Sequence, residues 1–195
     1  FMRAHEKGNS AMLSGYMGAY PRPPSQFFDS RKTFLTPALA ALYGVPIPIR
    51  QEMGGIVPWV RYEYPENHIR VGLLGQATFL SLFSHPGASS PTLRGKAVRE
   101  HLLCQTIPPP PGDVDFSLVR DTDNPEFRTA RDRLTEHRNN PTCAGCHTLM
   151  DPIGLALEIF DASGVFRNME NGALIDTSGQ WLGQEYSDAR ELTLM

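Results

Sequence analysis

Cys143-Ala-Gly-Cys146-His147-Thr-Leu-Met150-Asp151-Pro152-Ile153-Gly154-Leu-Ala-Leu157-Glu158 is the stretch in which most of the chemistry of this chain is concentrated. After Asp151-Pro152, Ile153, Leu157 and Phe160 recur at helical spacing, so Asp151 is expected to cap a new helix running to Phe160, with Gly164 as its stop. Before it, Cys143 and Cys146 stand one helical turn apart, with an imidazole directly after the second thiol. Thiols at that spacing can add across the two vinyl groups of a haem to form two thioethers. The following histidine then presents its ring to the iron as an axial ligand. Three other readings compete. A structural zinc site needs about four ligands, and this segment offers two thiolates and one adjacent histidine. A redox dithiol is expected after a strand, whereas here the motif follows a helical segment and an Asn139-Asn140-Pro141 turn. The third is that the cysteines are ordinary ones. The five-residue pattern favours one covalent haem c held by Cys143, Cys146 and His147.

An axial histidine needs an acceptor for its second ring nitrogen, which fixes the tautomer and raises ligand basicity. A backbone carbonyl within Asp151-Pro152-Ile153-Gly154 is the expected acceptor. The sixth iron position separates electron transfer from chemistry at the metal. His85, between a helix end and Pro86-Gly87, is the first candidate for it, with Met53, His68 and His137 behind. Met150 is too close to His147 along the chain to reach the opposite face, and it reads as core; Met169 and Met195 fall in loop and chain-end contexts. His137 shares an apolar face with Phe127, Ala130 and Leu134 and reads first as a core histidine. Arg94, Lys96, Arg99, Arg133 and Arg138 read as solvated charges, one or two of them suited to haem propionates. Cys104 reads as a buried thiol or a half-cystine. Asp113, Asp115, Asp121 and Asp123 lack the spacing of a calcium loop.

Farther out, Thr36-Pro37 opens an apolar helix stopped by Gly44, Ser90-Pro91 opens one reaching about Cys104, and Asn124-Pro125 opens another through Leu134. A further helix is expected from Val71 to Ser84. Strand signals are poor: Ile56 to Val60 is a short extended piece and Ala173 to Trp181 a small hairpin or loop. The expected fold is therefore mainly α, a cytochrome-c-like helical haem module preceded by a helical module, with long irregular loops. Pro108 to Gly112 reads as a stiff linker that divides residues 1–107 from a haem-binding unit at 113–195. Phe1 at the start and the helix-like Glu191 to Met195 at the end lead us to expect a piece of a longer protein.

Across 195 residues, 41% hydrophobic and 20% charged, a buried core is affordable; the net charge of -3 without a basic run argues against a nucleic-acid partner. No apolar stretch reaches the length of a membrane span.

These blocks together resemble the large multi-module cytochrome-c-like proteins first noticed in planctomycetes, known mainly as domains of unknown function. The resemblance is carried by Arg31 to Leu35 with Leu39 to Gly44, by Gly72 to Leu80 with Ser84-His85-Pro86 and Ser90 to Lys96, and by Leu102 to Cys104. It continues through Arg133-Leu134, His137-Arg138, Cys143 to His147, Met150 to Glu158, Phe160-Asp161, Gly164, Glu170 to Gly172, Ile175-Asp176 and Gly179. It implies haem c binding and electron transfer in an exported protein, periplasmic or at the cell surface. The expected partners are other redox proteins or subunits of a larger assembly. An electron carrier is favoured over a catalyst. The competing functions are a haem enzyme with an open sixth position, acting on peroxide or oxygen, and a structural module stapled by haem.

Overall fold

The computed structural model describes residues 26–47, 59–110, 112 and 114–195. Among them the chain order begins α1 (Gln26–Asp29), β1 (Lys32–Leu35), α2 (Pro37–Tyr43), β2 (Val60–Glu63), α3 (Ala77–Leu82) and α4 (Pro91–Ala97). Helix α4 winds on through one wider π-helical turn, Val98–Leu102. The second half adds α5 (Ser117–Arg120), α6 (Ala130–His137), α7 (Pro141–Ala156), β3 (Met169–Glu170), β4 (Ala173–Leu174), β5 (Gly179–Trp181), β6 (Gln184–Tyr186) and α8 (Ala189–Leu194).

The mainly α, cytochrome-c-like expectation does not hold. Among the described residues, six short strands pair as three two-stranded antiparallel sheets, and α7 alone exceeds eight residues. The β1–β2 pair was hidden because its inward face is built from Thr33 and Leu35, a period-two pattern carried by one polar and one apolar residue. Lys32 lies opposite Glu63 and Leu35 opposite Val60, so β2 starts at the end of the extended piece expected from sequence; Ile56 to Pro58 lie outside the described residues. The expected single hairpin near the C-terminal end is two hairpins, β3–β4 and β5–β6.

Helix starts follow local chemistry where a side chain is free to cap. The Thr36 hydroxyl accepts from Leu39 N–H (3.2 Å), Pro37 occupies the first turn, and Gly44 ends α2 in the left-handed region at φ 64°. Ser90 and Pro91 repeat the start at α4. The helix expected at Val71 to Ser84 is confined to α3. The start expected at Asn124-Pro125 moves to Thr129, whose reciprocal bonds with Asp132 form a capping box for α6. Asn124 instead turns inward locally, its side-chain oxygen accepting from Glu126 and Phe127 N–H.

The main core joins both halves of the sequence. Leu74, Phe79, Leu80, Ala97 and Val98 pack with Ile153, Ala156, Leu157, Phe160, Tyr186, Ala189 and Leu192. A smaller cluster, Leu35, Leu39, Ala40, Tyr43, Tyr64 and Ala77, lies beside it. Arg70 connects the two. Its guanidinium stands 4.1 Å from the Tyr43 ring centroid and 4.4 Å from that of Phe160, and it donates to the carbonyls of Gly75 and Gly164.

Helices α4 and α7 run antiparallel in backbone contact. A methyl group on Gly95 would overlap the Met150 carbonyl oxygen, and one on Gly154 the Pro91 carbonyl oxygen. Both positions therefore require glycine, and the crossing fixes α7 against α4.

Candidate functional site

The cysteine–histidine segment occupies the first half of α7. Asn140 caps this helix, its side-chain oxygen accepting from Thr142 N–H (3.0 Å), and Pro141 takes the first position. The Asn139-Asn140-Pro141 segment expected as a turn is thus the start of this helix. Conversely, Asp151-Pro152 does not begin a new helix: α7 continues through Pro152 to Ala156. Asp151 cannot act as a cap because its carboxylate is used elsewhere.

That use defines the site. Nδ1 of His147 lies 3.0 and 3.1 Å from the two carboxylate oxygens of Asp151, one turn farther along α7. An ionised carboxylate only accepts, so Nδ1 carries the proton and donates, leaving the Nε2 lone pair free. The acceptor is thus the side chain of Asp151 rather than the backbone carbonyl expected from sequence. Asp151 is fully buried, and its Oδ1 also accepts from the Thr92 hydroxyl of α4 (3.0 Å). The His147 side chain retains 14% exposure.

Cys143 and Cys146 are free, half-buried thiols on the same face of α7 as His147, at three and four residues' spacing. Around them Pro141, Thr142, Gly145, Thr148 and Leu149 are exposed, and nothing lies within 4 Å of the position a Gly145 Cβ would take. This end of the helix therefore opens outward, while its second half is core. Two thiols and a histidine with one free ring nitrogen, beside open surface, fit covalent attachment of a haem. Helix α6 and a short turn precede α7, so the strand that a thioredoxin-like dithiol requires in that position is a helix here. Among the described residues no three His, Cys, Asp or Glu side chains converge as a group able to hold a metal ion.

Among the other expected ligands, the structure brings His137 to the site and leaves His85 away from it. The His137 and His147 rings meet edge-on with centroids 5.1 Å apart, and Phe116 stacks on His137 at 6.3 Å. Burial, then the neighbouring His147, hold His137 below the ordinary imidazole pKa, with Asp151 pulling the other way. His85 is exposed in a tight turn closed by reciprocal backbone bonds with Ala88. Ser89 of the same segment donates to Glu158, beyond the far end of α7, eleven residues on from His147. His68 stacks on Tyr64 and accepts from Arg70 N–H through Nδ1. Met150 is buried, and Met169 and Met195 are exposed. Met53 lies outside the described residues.

Three other residues, Arg94, Arg133 and Cys104, depart from their sequence expectations. Arg94 and Arg133 are buried rather than solvated: Arg94 pairs with Glu158 (3.3 Å) and Arg133 with Glu170 (2.7 Å). Arg99 donates to the Leu149 carbonyl (2.8 Å) and covers the Trp181 ring, tying the π-helical turn to α7. Cys104 is exposed, with φ 52°, rather than buried.

A family model, PSCyt3, a protein of unknown function (DUF1588), matches residues 70–170, just over half of the chain. The chain belongs to this planctomycete cytochrome-like family. The PSCyt3 match opens at buried Arg70 and closes at Glu170, the partner of Arg133. It takes in Thr92, the crossing of α4 and α7, and the whole of Cys143 to Asp151. No curated protein and no solved structure matches the chain.

Proposed function

We propose that this chain is a mono-haem c-type electron-transfer module, acting in a larger exported redox protein or assembly. The observation that carries the reading is the arrangement of His147 on α7: Nδ1 is engaged by Asp151, Nε2 is free, and two unpaired thiols precede it on the same face. Cys143 and Cys146 would each add S–H across one vinyl group, forming a C–S bond and leaving the hydrogen on the other vinyl carbon. His147 would provide the axial nitrogen. Bound there, haem supplies a one-electron Fe(III)/Fe(II) couple. Asp151 keeps the His147 ring in a single tautomer and orientation, and the α4–α7 crossing holds Asp151 in place. Electrons would enter from a reduced partner protein and leave to an oxidised one. Attachment of this kind takes place in an exporting compartment, so the module would work in the periplasm or at the cell surface. Among the described residues no helix is long and apolar enough to cross a membrane.

The test is expression in a host with working haem-attachment machinery, followed by a haem-stained denaturing gel and a reduced-minus-oxidised visible spectrum. The expected result is a stained band near 21.7 kDa with a sharp α-band. Cys143→Ser with Cys146→Ser should abolish the stain. An unstained wild-type band would overturn the haem reading. Fast carbon monoxide binding to the reduced protein would move it from carrier to haem enzyme.

A further inference from the structure

The acceptor on His147 is a buried charge rather than a neutral carbonyl. Both carboxylate oxygens of Asp151 face Nδ1 at nearly equal distance, 3.0 and 3.1 Å, and the carboxylate is fully buried. Among the described residues its hydrogen-bond partners are His147 Nδ1–H and the Thr92 hydroxyl. No guanidinium or ammonium is paired with it there to cancel its field. In a low-dielectric setting such a charge acts strongly on whatever it touches.

We propose that Asp151 is a positioning residue that makes His147 an electron-rich axial donor and holds the reduction potential of the bound haem low. This rests on the haem reading above. A carboxylate hydrogen-bonded to Nδ1–H pulls the ring toward imidazolate character and raises the donor strength of Nε2. The oxidised centre carries one positive charge more than the reduced centre, so a fixed negative charge favours the oxidised form. The couple remains a one-electron step, with the Nδ1 proton retained in both states. Thr92 tunes the effect from α4: its hydroxyl orients Oδ1, and Gly95, one turn on, lets the two backbones approach closely enough for that bond. The site therefore suits a donor to acceptors of higher potential.

The experiment is spectroelectrochemical titration, with redox mediators, of haem-loaded wild type, Asp151→Asn and Thr92→Val. Haem stain and far-UV circular dichroism are recorded on each. Asp151→Asn keeps the shape and removes the charge. At the wild-type midpoint its reduced-to-oxidised ratio should rise about tenfold, which is about 59 mV for one electron. Thr92→Val removes a donor that draws charge off the carboxylate, so it should shift the ratio the opposite way, a fall of about two- to threefold, with haem attached and fold unchanged. If Asp151→Asn does not fold or load haem, Thr92→Val decides. Loaded variants with the wild-type midpoint would overturn the inference and leave the haem reading standing. An unstained wild type would overturn both.

Discussion

The ionisable side chains show how far a residue's role depends on what surrounds it. His68 is a case with a measurable consequence. Its ring lies 4.5 Å from that of Tyr64, and burial followed by the charge of Arg70 holds its pKa below the ordinary 6.5. Such a group is neutral in the native state and gains its proton more readily when unfolded. Native stability is therefore intact above the unfolded value and declines as pH falls through about 6.5 toward the lower folded value. His68→Asn retains an acceptor for Arg70 N–H and removes the titration. Urea midpoints at about pH 7.5 and about pH 5.5 should fall less for this variant than for wild type; equal falls would contradict the assignment. The arginines at 94 and 133 are polar letters in the sequence, yet both are buried. Their burial could not be read there, because it is created by carbonyls and carboxylates tens of residues away.

At the scale of elements, the three glycines of the α4–α7 pair make opposite predictions. Gly95→Ala or Gly154→Ala forces the two backbones apart and should cost about 2–3 kcal/mol in denaturant unfolding. Gly145→Ala sits in the same helix facing open space and should stabilise by up to about 1 kcal/mol, through helix propensity alone. A uniform response from all three would show that the crossing is not set by backbone contact. Helix starts were legible in sequence where a Thr or Ser before proline had its side chain free, as at Thr36 and Ser90, while the start at Asn140 lies in a segment whose sequence suggests a turn. Asp151-Pro152 carries the same letters and does not start a helix, because His147 and Thr92 occupy the carboxylate. The short strands escaped for a related reason. Two to four residues are too few for a periodic signal, and pairing with a distant strand supplies what local pattern lacks.

For the whole molecule, the proline-rich stretch at 108–112 does not mark a division of the core. Residues before and after it pack in one cluster, and Arg94 connects them through the carbonyls of Leu80, Leu157, Phe160 and Asp161 as well as Glu158. Unfolding should follow one cooperative transition, with far- and near-UV circular dichroism coinciding; two separated transitions would refute the shared core. Arg94→Met removes one member of a fully buried pair and leaves those carbonyls without their donor. It should cost about 3–5 kcal/mol in urea unfolding, while Arg167 still faces Glu158 at 2.9 Å.

Covalent spacing along the chain puts two thiols and an imidazole within one turn's reach and supplies the capped helix starts at Thr36 and Ser90. These are local properties, set by covalent spacing and by side chains that reach only a few residues along the chain. The tertiary structure alone decided that the fold mixes short helices with hairpins. It also decided that His137 rather than His85 lies beside His147, and that a buried carboxylate clamped from α4 holds the histidine's second nitrogen. Each of these depends on which distant backbone comes within contact distance, and here that was decided by two glycines at a helix crossing and by buried arginines gathering carbonyls from both halves of the chain.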